Sequence, residues 1–208
     1  MSSNSAIIYI VDDDVSVCRA LALLLKSHGF KVETFTRAAG FLAFKHPKAP
    51  SCLLLDIRLP DINGLVLQEK MVQQGINIPI IFITGHGDVP KSVTAIKAGA
   101  IDFFIKPFTT AKLLDAIALA IVASKSKIKK QAETEKIWRN IKTLSPRELE
   151  VFRLVVNGML NKQIASKRGI VLQTIKVHRS RVMQKMQAKT VTELIHLAQK
   201  VGITSLQY

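Results

Sequence analysis

Four short apolar runs in the first half of the chain each end in a side chain able to handle a phosphoryl group. Ala6 to Val11 ends at Asp12 and Asp13, Cys52 to Leu55 at Asp56, Ile80 to Ile83 at Thr84, and Asp102 to Ile105 at Lys106. In an open parallel α/β sheet the carboxyl ends of buried strands converge on one crevice, because every strand runs the same way and the chain returns through helices. Three carboxylates, a hydroxyl and an ammonium in one crevice suit a divalent cation and a phosphoryl group. Asp12, Asp13 and Asp56 could hold a hard, oxygen-seeking cation such as Mg²⁺ or Mn²⁺. Such an ion relieves their mutual repulsion and neutralises an incoming phosphoryl group, so that a carboxylate can attack it and form an aspartyl phosphate. Lys106 would add positive charge and Thr84 a hydroxyl donor. Each residue also has a plainer explanation: Asp13 and Asp14 as helix caps, Asp56 as a turn residue before Pro60, Thr84 as a strand end, Lys106 as a surface lysine fixed by Pro107. Their joint occurrence at four strand ends is what favours a shared pocket.

The elements that must position these groups follow from periodicity. From residue 6 to 123, short β-branched runs alternate with segments of helical period, the signature of a βα-repeat domain with a parallel sheet. Five strands and five helices are predicted, the helices over about Val15 to His28, Ala38 to Phe44, Leu65 to Gln74, Val89 to Ala98 and Ala111 to Ala123. The remaining strand, Lys31 to Phe35, has no catalytic end-point and is expected at an edge. Residues 124–142, SKSKIKKQAETEKIWRNIK, are rich in lysine; Ile128, Ile137, Trp138 and Ile141 fall at loosely helical intervals, so both an extension of the preceding helix and a solvated tether stay open. After Leu144 the pattern is all-helical. Ser145, Pro146 and Glu148 form a capping box with proline at the first helical position. That helix should end near Gly158, and three more are expected over Asn161 to Lys167, Leu172 to Met186 and Thr192 to Val201. The division is therefore residues 1–123, a basic linker over 124–142, and 143–208.

The 208 residues carry a net charge of +15, unevenly spread. Basic residues outnumber acidic ones by 12 to 10 over 1–123, by 7 to 2 over 124–142, and by 11 to 3 over 143–208. A small domain with that excess favours a polyanion, since counterion release drives binding to nucleic acid; charge alone does not separate DNA from RNA or an anionic membrane surface. No apolar run approaches the roughly 20 residues that span a bilayer, and Met1 to Ser5 is polar, so a cytoplasmic location is expected. Cys18 and Cys52 lack metal-ligand spacing and read as buried thiols.

VDDD at the first strand end, LLLDIRLPDINGL around Asp56, FITGHGDVP after the fourth strand and AIKAGAIDFFIKPF through Lys106 resemble the receiver domain of two-component response regulators, over about Ala6 to Ala123. The resemblance implies a flavodoxin-like (βα)5 receiver with a five-stranded parallel sheet. It implies Asp56 as phospho-acceptor from a sensor histidine kinase, with Asp13, Asp56 and the main-chain carbonyl of Arg58 on Mg²⁺ and Asp12 reaching the metal mainly through water. It further implies a cis peptide bond between Lys106 and Pro107, and a two-state switch in which the Thr84 hydroxyl moves toward the phosphoryl group while Phe103 turns inward. Core packing is the other reading of Phe103, with Phe104 facing the opposite side of the sheet. The fourth helix, last strand and fifth helix would pair receivers into a homodimer on phosphorylation.

NKQIASKRGIVLQTIKVHRSRVMQK reads as a helix, a tight turn around Arg168 to Ile170, and a second helix bearing Lys176, His178, Arg179, Arg181 and Lys185. In a helix-turn-helix the second helix enters the DNA major groove, some side chains meeting base edges and others phosphates. Lys176, Arg179 and Ser180 should share one side with Val177 adjacent, while Ile175, Val182 and Met186 turn inward. LSPRELEVFRLVVNGMLNKQIA followed by TIKVHRSRVMQKM resembles the all-α four-helix LuxR-type DNA-binding domain. The resemblance implies base contacts from Lys176, Val177 and Ser180, with backbone or mixed contacts from Thr174, His178, Arg179, Arg181 and Lys185. Ser180 stands where the family commonly has a longer basic residue. Together the halves resemble the FixJ-like branch of NarL-type response regulators, which implies a transcriptional activator with RNA polymerase as a further partner, and not an enzyme. The rival enzyme class, haloacid-dehalogenase-type phosphatases, carries its nucleophile on the first strand in a DxDxT pattern; here Asp12 to Asp14 run on into Val15 and the isolated Asp56 lies on the third.

Overall fold

A computed structural model describes residues 6–85, 96 and 99–203. In chain order these form β1 (Ile7–Val11), α1 (Val15–Ser27), β2 (Lys31–Phe35), α2 (Ala38–Ala43), β3 (Ser51–Asp56), α3 (Gly64–Gln73), β4 (Ile80–Thr84), β5 (Asp102–Ile105), α4 (Thr110–Lys142), α5 (Pro146–Val156), α6 (Asn161–Arg168), α7 (Leu172–Met186) and α8 (Val191–Lys200). The helix expected over Val89 to Ala98 lies outside the described residues.

The five strands make one parallel sheet in the order β2-β1-β3-β4-β5, which puts Lys31–Phe35 at an edge. Alternation along the strands sorts side chains onto two faces. Ile8, Ile10, Cys52, Leu54, Ile81 and Ile83 pack against Leu21 and Leu25 of α1 and Leu113, Ile117 and Ile121 of α4. Tyr9, Val11, Leu53, Leu55 and Phe82 pack against Phe41 of α2 and Leu67 and Met71 of α3. All six residues of β3 are buried, as befits a central parallel strand covered on both faces. At its start the Ser51 amide donates to the buried Ser124 hydroxyl on α4, 3.0 Å away, so a polar group that would otherwise be stranded has a partner.

The chain divides into two compact units, Met1–Lys129 and Lys130–Tyr208. Helix α4 runs without a break from Thr110 to Lys142, so the lysine-rich stretch is helical rather than a tether. Its last turns supply Ile137 and Ile141 to the core of the second unit, where they join Phe152, Leu154, Ile164, Ile175, Val182, Met186 and Leu194. The second unit therefore begins before residue 143. Helix α5 starts with both halves of the capping box: Ser145 Oγ accepts from the Glu148 amide at 3.3 Å, and Glu148 Oε2 accepts from the Ser145 amide at 2.8 Å. Between α6 and α7, Gly169 adopts φ +61°, the left-handed conformation that ends a helix at little cost only without a Cβ.

Ile137→Ala and Ile141→Ala should each destabilise the C-terminal unit by about 2–5 kcal/mol, the usual range for truncating a buried isoleucine. Trp138, the sole tryptophan, neighbours both and is 43% exposed, so its fluorescence in a denaturant titration reports the loss directly.

Candidate functional site

The strand order brings the tips of β1, β3, β4 and β5 side by side, and with them the residues singled out in the sequence. Asp12 and Asp56 are almost fully buried, at 3% and 8% exposure, while Asp13 faces solvent. One carboxylate oxygen from each of the three lies within 4.8 Å of the others. Lys106 Nζ sits 2.7 Å from Asp12 Oδ2 and 3.5 Å from Asp56 Oδ2, one ammonium against three carboxylates among the described residues. Asp14, not Asp13, caps α1: its Oδ1 accepts from the Ser16 and Val17 amides at 2.7 and 3.3 Å. That division of labour leaves the Asp12 and Asp13 side chains to the crevice, with Asp12 Oδ1 accepting from the Asp14 amide at 3.0 Å.

Asp56 is buried at the tip of β3. Burial pushes its carboxyl above the usual carboxylate range; the Arg58 amide, which donates to Asp56 Oδ1 at 3.0 Å, opposes this, Asp12 adds to it, and Lys106 opposes it. For Lys106 burial works against the charge, but the hydrogen bond and attraction from Asp12, then Asp56, win and raise it above the ordinary lysine value. Lys106 is itself fixed from the main chain, its amide donating to the Thr84 carbonyl at 2.8 Å, and it precedes a cis bond to Pro107. Thr84 is buried at the end of β4. Phe103 packs on the α2–α3 face, its ring centroid 6.5 Å from that of Phe82, while Phe104 lies on the other face near Phe108. Three hard anionic oxygens with too little positive charge among them are a fitting donor set for a small divalent cation.

Gly64, the glycine of the LLLDIRLPDINGL stretch, is part of the site's framework. A Cβ there would lie 2.5 Å from the Asp56 carbonyl oxygen and 3.0 Å from Ile57 Cα, and the Gly64 amide donates to the Ile57 carbonyl at 2.8 Å. The loop leaving Asp56 thus closes back on the strand through a residue that cannot carry a side chain. The signal was present in DINGL, where an Asn N-cap precedes a glycine inside the first helical turn.

The second unit sorts the eight basic-helix candidates into two groups. Thr174, Lys176, Val177, Ser180 and Arg181 on α7 are exposed; His178, Arg179 and Lys185 are half-buried along its flanks. Lys185 departs most from expectation. Its Nζ lies 2.6 Å from Glu148 Oε2 and donates to the Thr143 carbonyl at 2.9 Å, so it balances a buried carboxylate instead of standing free for a phosphate. That hydrogen bond, followed by the one from the Ser145 amide, pulls the Glu148 carboxyl down to about 2. Arg179 Nη1 donates to Asn161 Oδ1 at 2.7 Å. Arg179 follows Ile175 by four positions and precedes Val182 by three, so the same helical period that groups it with Lys176 and Ser180 also sets it beside the buried row of Ile175, Val182 and Met186, and it is half-buried.

Residues 8–118 match the family described as response regulator receiver domain, and residues 142–198 match the bacterial regulatory proteins of the luxR family. The chain belongs to the two-component response regulators that join a receiver to a LuxR-type DNA-binding domain, a family of transcriptional regulators and not of enzymes. It is 42% identical to nodulation protein W of Bradyrhizobium diazoefficiens over 98% of this chain and 90% of that protein. It is 41% identical to the transcriptional regulatory protein FixJ of Rhizobium meliloti over 92% of this chain and 94% of that one. Among solved structures it is similar to the response regulator StyR, with a TM-score of 0.81 at 41% identity, covering 94% of this chain and 99% of that one. Among the described residues no helix is long and apolar enough to cross a membrane.

Gly64→Ala should cost about 1–3 kcal/mol, as an unaccommodated methyl does in a packed site, and displace Asp56; equilibrium unfolding and the rate of phosphoryl labelling measure the two effects. A depressed carboxyl contributes stability that is present above the ordinary glutamate value of 4.5 and lost as pH falls toward about 2. Lys185→Met should lower stability at pH 7 and shrink the further loss between pH 4.5 and 2, as read from denaturant midpoints across that window.

Proposed function

We propose that this chain is a phosphorylation-dependent transcriptional activator in which Asp56 accepts a phosphoryl group from a sensor histidine kinase and helix α7 binds duplex DNA. The observation that carries the reading is the buried Asp56 carboxylate at the tip of the central strand, with the Lys106 ammonium at 3.5 Å and two further carboxylates within 4.8 Å. An Asp56 oxygen attacks phosphorus, the P–N bond to the kinase imidazole breaks, and its electron pair returns to the ring, which takes up a proton. Mg²⁺ or Mn²⁺ held by Asp12, Asp13, Asp56 and the Arg58 carbonyl, with Asp12 acting mainly through water, would neutralise charge on the phosphoryl oxygens when bound. Lys106 offers its ammonium to the same oxygens, and burial of Asp56 keeps competing water away.

The product carries more negative charge than the carboxylate it replaces, in a crevice already rich in it. Thr84 moves its hydroxyl toward the phosphoryl group and donates to it, and Phe103 turns inward. That change biases the surface of β5 and the first turns of α4 toward pairing with a second copy. The paired effectors then place two copies of α7 in successive major grooves, Lys176, Val177 and Ser180 meeting base edges while Thr174, His178, Arg179 and Arg181 hold phosphates. Lys185 serves the fold through Glu148. Bound at its operator, the dimer recruits RNA polymerase. The working compartment of such a regulator is the cytoplasm, where its kinase's catalytic half, DNA and magnesium meet.

Incubation with acetyl phosphate and magnesium should label the peptide containing Asp56, detectable by mass spectrometry, and convert wild type from monomer to dimer in sedimentation; Asp56→Asn should do neither. Footprinting of labelled protein on DNA should show half-sites one or two helical turns apart. Absence of label at residue 56 under these conditions would overturn the reading.

A further inference from the structure

Helix α6 opens with an asparagine whose side chain does no capping. Asn favours the N-cap, where its oxygen accepts an amide of the first turn. Here Leu160 holds that place, and the reciprocal bond comes from Gln163, whose Oε1 accepts from the Leu160 amide at 2.7 Å. One residue further on, Asn161 reaches across to the neighbouring helix, and its Oδ1 accepts from Arg179 Nη1 at 2.7 Å. Arg179 occupies the flank of α7 between the buried row of Ile175, Val182 and Met186 and the exposed Lys176 and Ser180.

The chemistry of the pair is informative. A guanidinium is a planar fork with five N–H donors, and holding one of them restricts where the rest can point. A carboxamide oxygen achieves this without cancelling the positive charge, whereas a carboxylate in the same place would consume the charge that a phosphate needs. Holding the side chain in advance also removes rotamer freedom that would otherwise be lost on binding.

We infer that Asn161 is a positioning residue that orients Arg179 for the phosphate backbone of duplex DNA. The inference rests on the reading of α7 as the DNA-binding helix and deepens it. Asn161 supplies orientation; Arg179 supplies charge and contact. The two therefore leave different signatures in the salt dependence of binding, where each phosphate contact adds about one unit to the slope of log affinity against log salt.

The test uses the full chain, phosphorylated as above, and a short mixed-sequence duplex titrated at several salt concentrations. Arg179→Ala should weaken binding and lower the salt slope by about one. Asn161→Ala should weaken binding by about tenfold with the slope kept, because the charge is still present but no longer aimed. In the double variant the asparagine change should add nothing. Circular dichroism melts of each variant separate loss of orientation from loss of fold: Asn161→Ala should melt close to wild type. An Asn161→Ala effect of the same size with or without Arg179 would overturn the inference, as would no effect at all. If Arg179→Ala alone binds like wild type, Arg179 is not a DNA contact and the inference falls with that assignment, while labelling at Asp56 is untouched.

Discussion

Like charges forced into one crevice are the constraint around which the receiver is organised. Asp12 and Asp56 are buried, Asp13 stands beside them, and one ammonium, that of Lys106, lies against the first two. Nothing in the hydrophobic sheet requires carboxylates to be there, and desolvation works against them. The fold brings them together all the same, because parallel strands with helical returns deliver every strand tip to the same edge. The surrounding main chain is arranged to keep the imbalance in place: amides of Asp14 and Arg58 donate to the two buried carboxylates, and the Lys106 amide is tied to Thr84. Among the described residues the site sets one ammonium against three carboxylates, a donor set that fits a small divalent cation.

In the second unit the basic residues divide between interior work and exterior display. The excess of cations over 143–208 reads as an electrostatic footprint for a polyanion, yet Lys185 is committed to Glu148, and Arg168 contacts Glu150. These pairs join helices whose hydrophobic contacts alone must stabilise a small core. What remains for DNA on α7 is a narrower set: Thr174, Lys176, Val177, Ser180 and Arg181 on the open face, with the half-buried His178 and Arg179 at its flank. Net charge thus overstates the number of groups a helix can offer to DNA.

Much of the receiver was legible in the residues because its information is local. Short apolar runs located the strands to within a residue, four of them closed by a polar side chain, and Ser145, Pro146 and Glu148 announced their helix. Three kinds of feature were not legible. The continuity of α4 through a lysine-rich stretch turned on tertiary burial of Ile137 and Ile141, which helical propensity does not record. The partners of Lys185 and Arg179 lie 37 and 18 residues away in sequence, and side-chain type says nothing about which distant group will claim a cation. The close approach at Gly64 could not be read from the residues, since steric exclusion by the Asp56 carbonyl appears only once the loop is closed.

Strand β3 is gripped at both of its ends. The Ser124 hydroxyl takes the amide of its first residue, and the backbone of its last residue meets Gly64 with no room for even a methyl group between them. A rod seated in this way has its lengthwise position set from both sides, so the tip that carries Asp56 is placed by contacts at each end of the strand rather than by the sheet ladder alone.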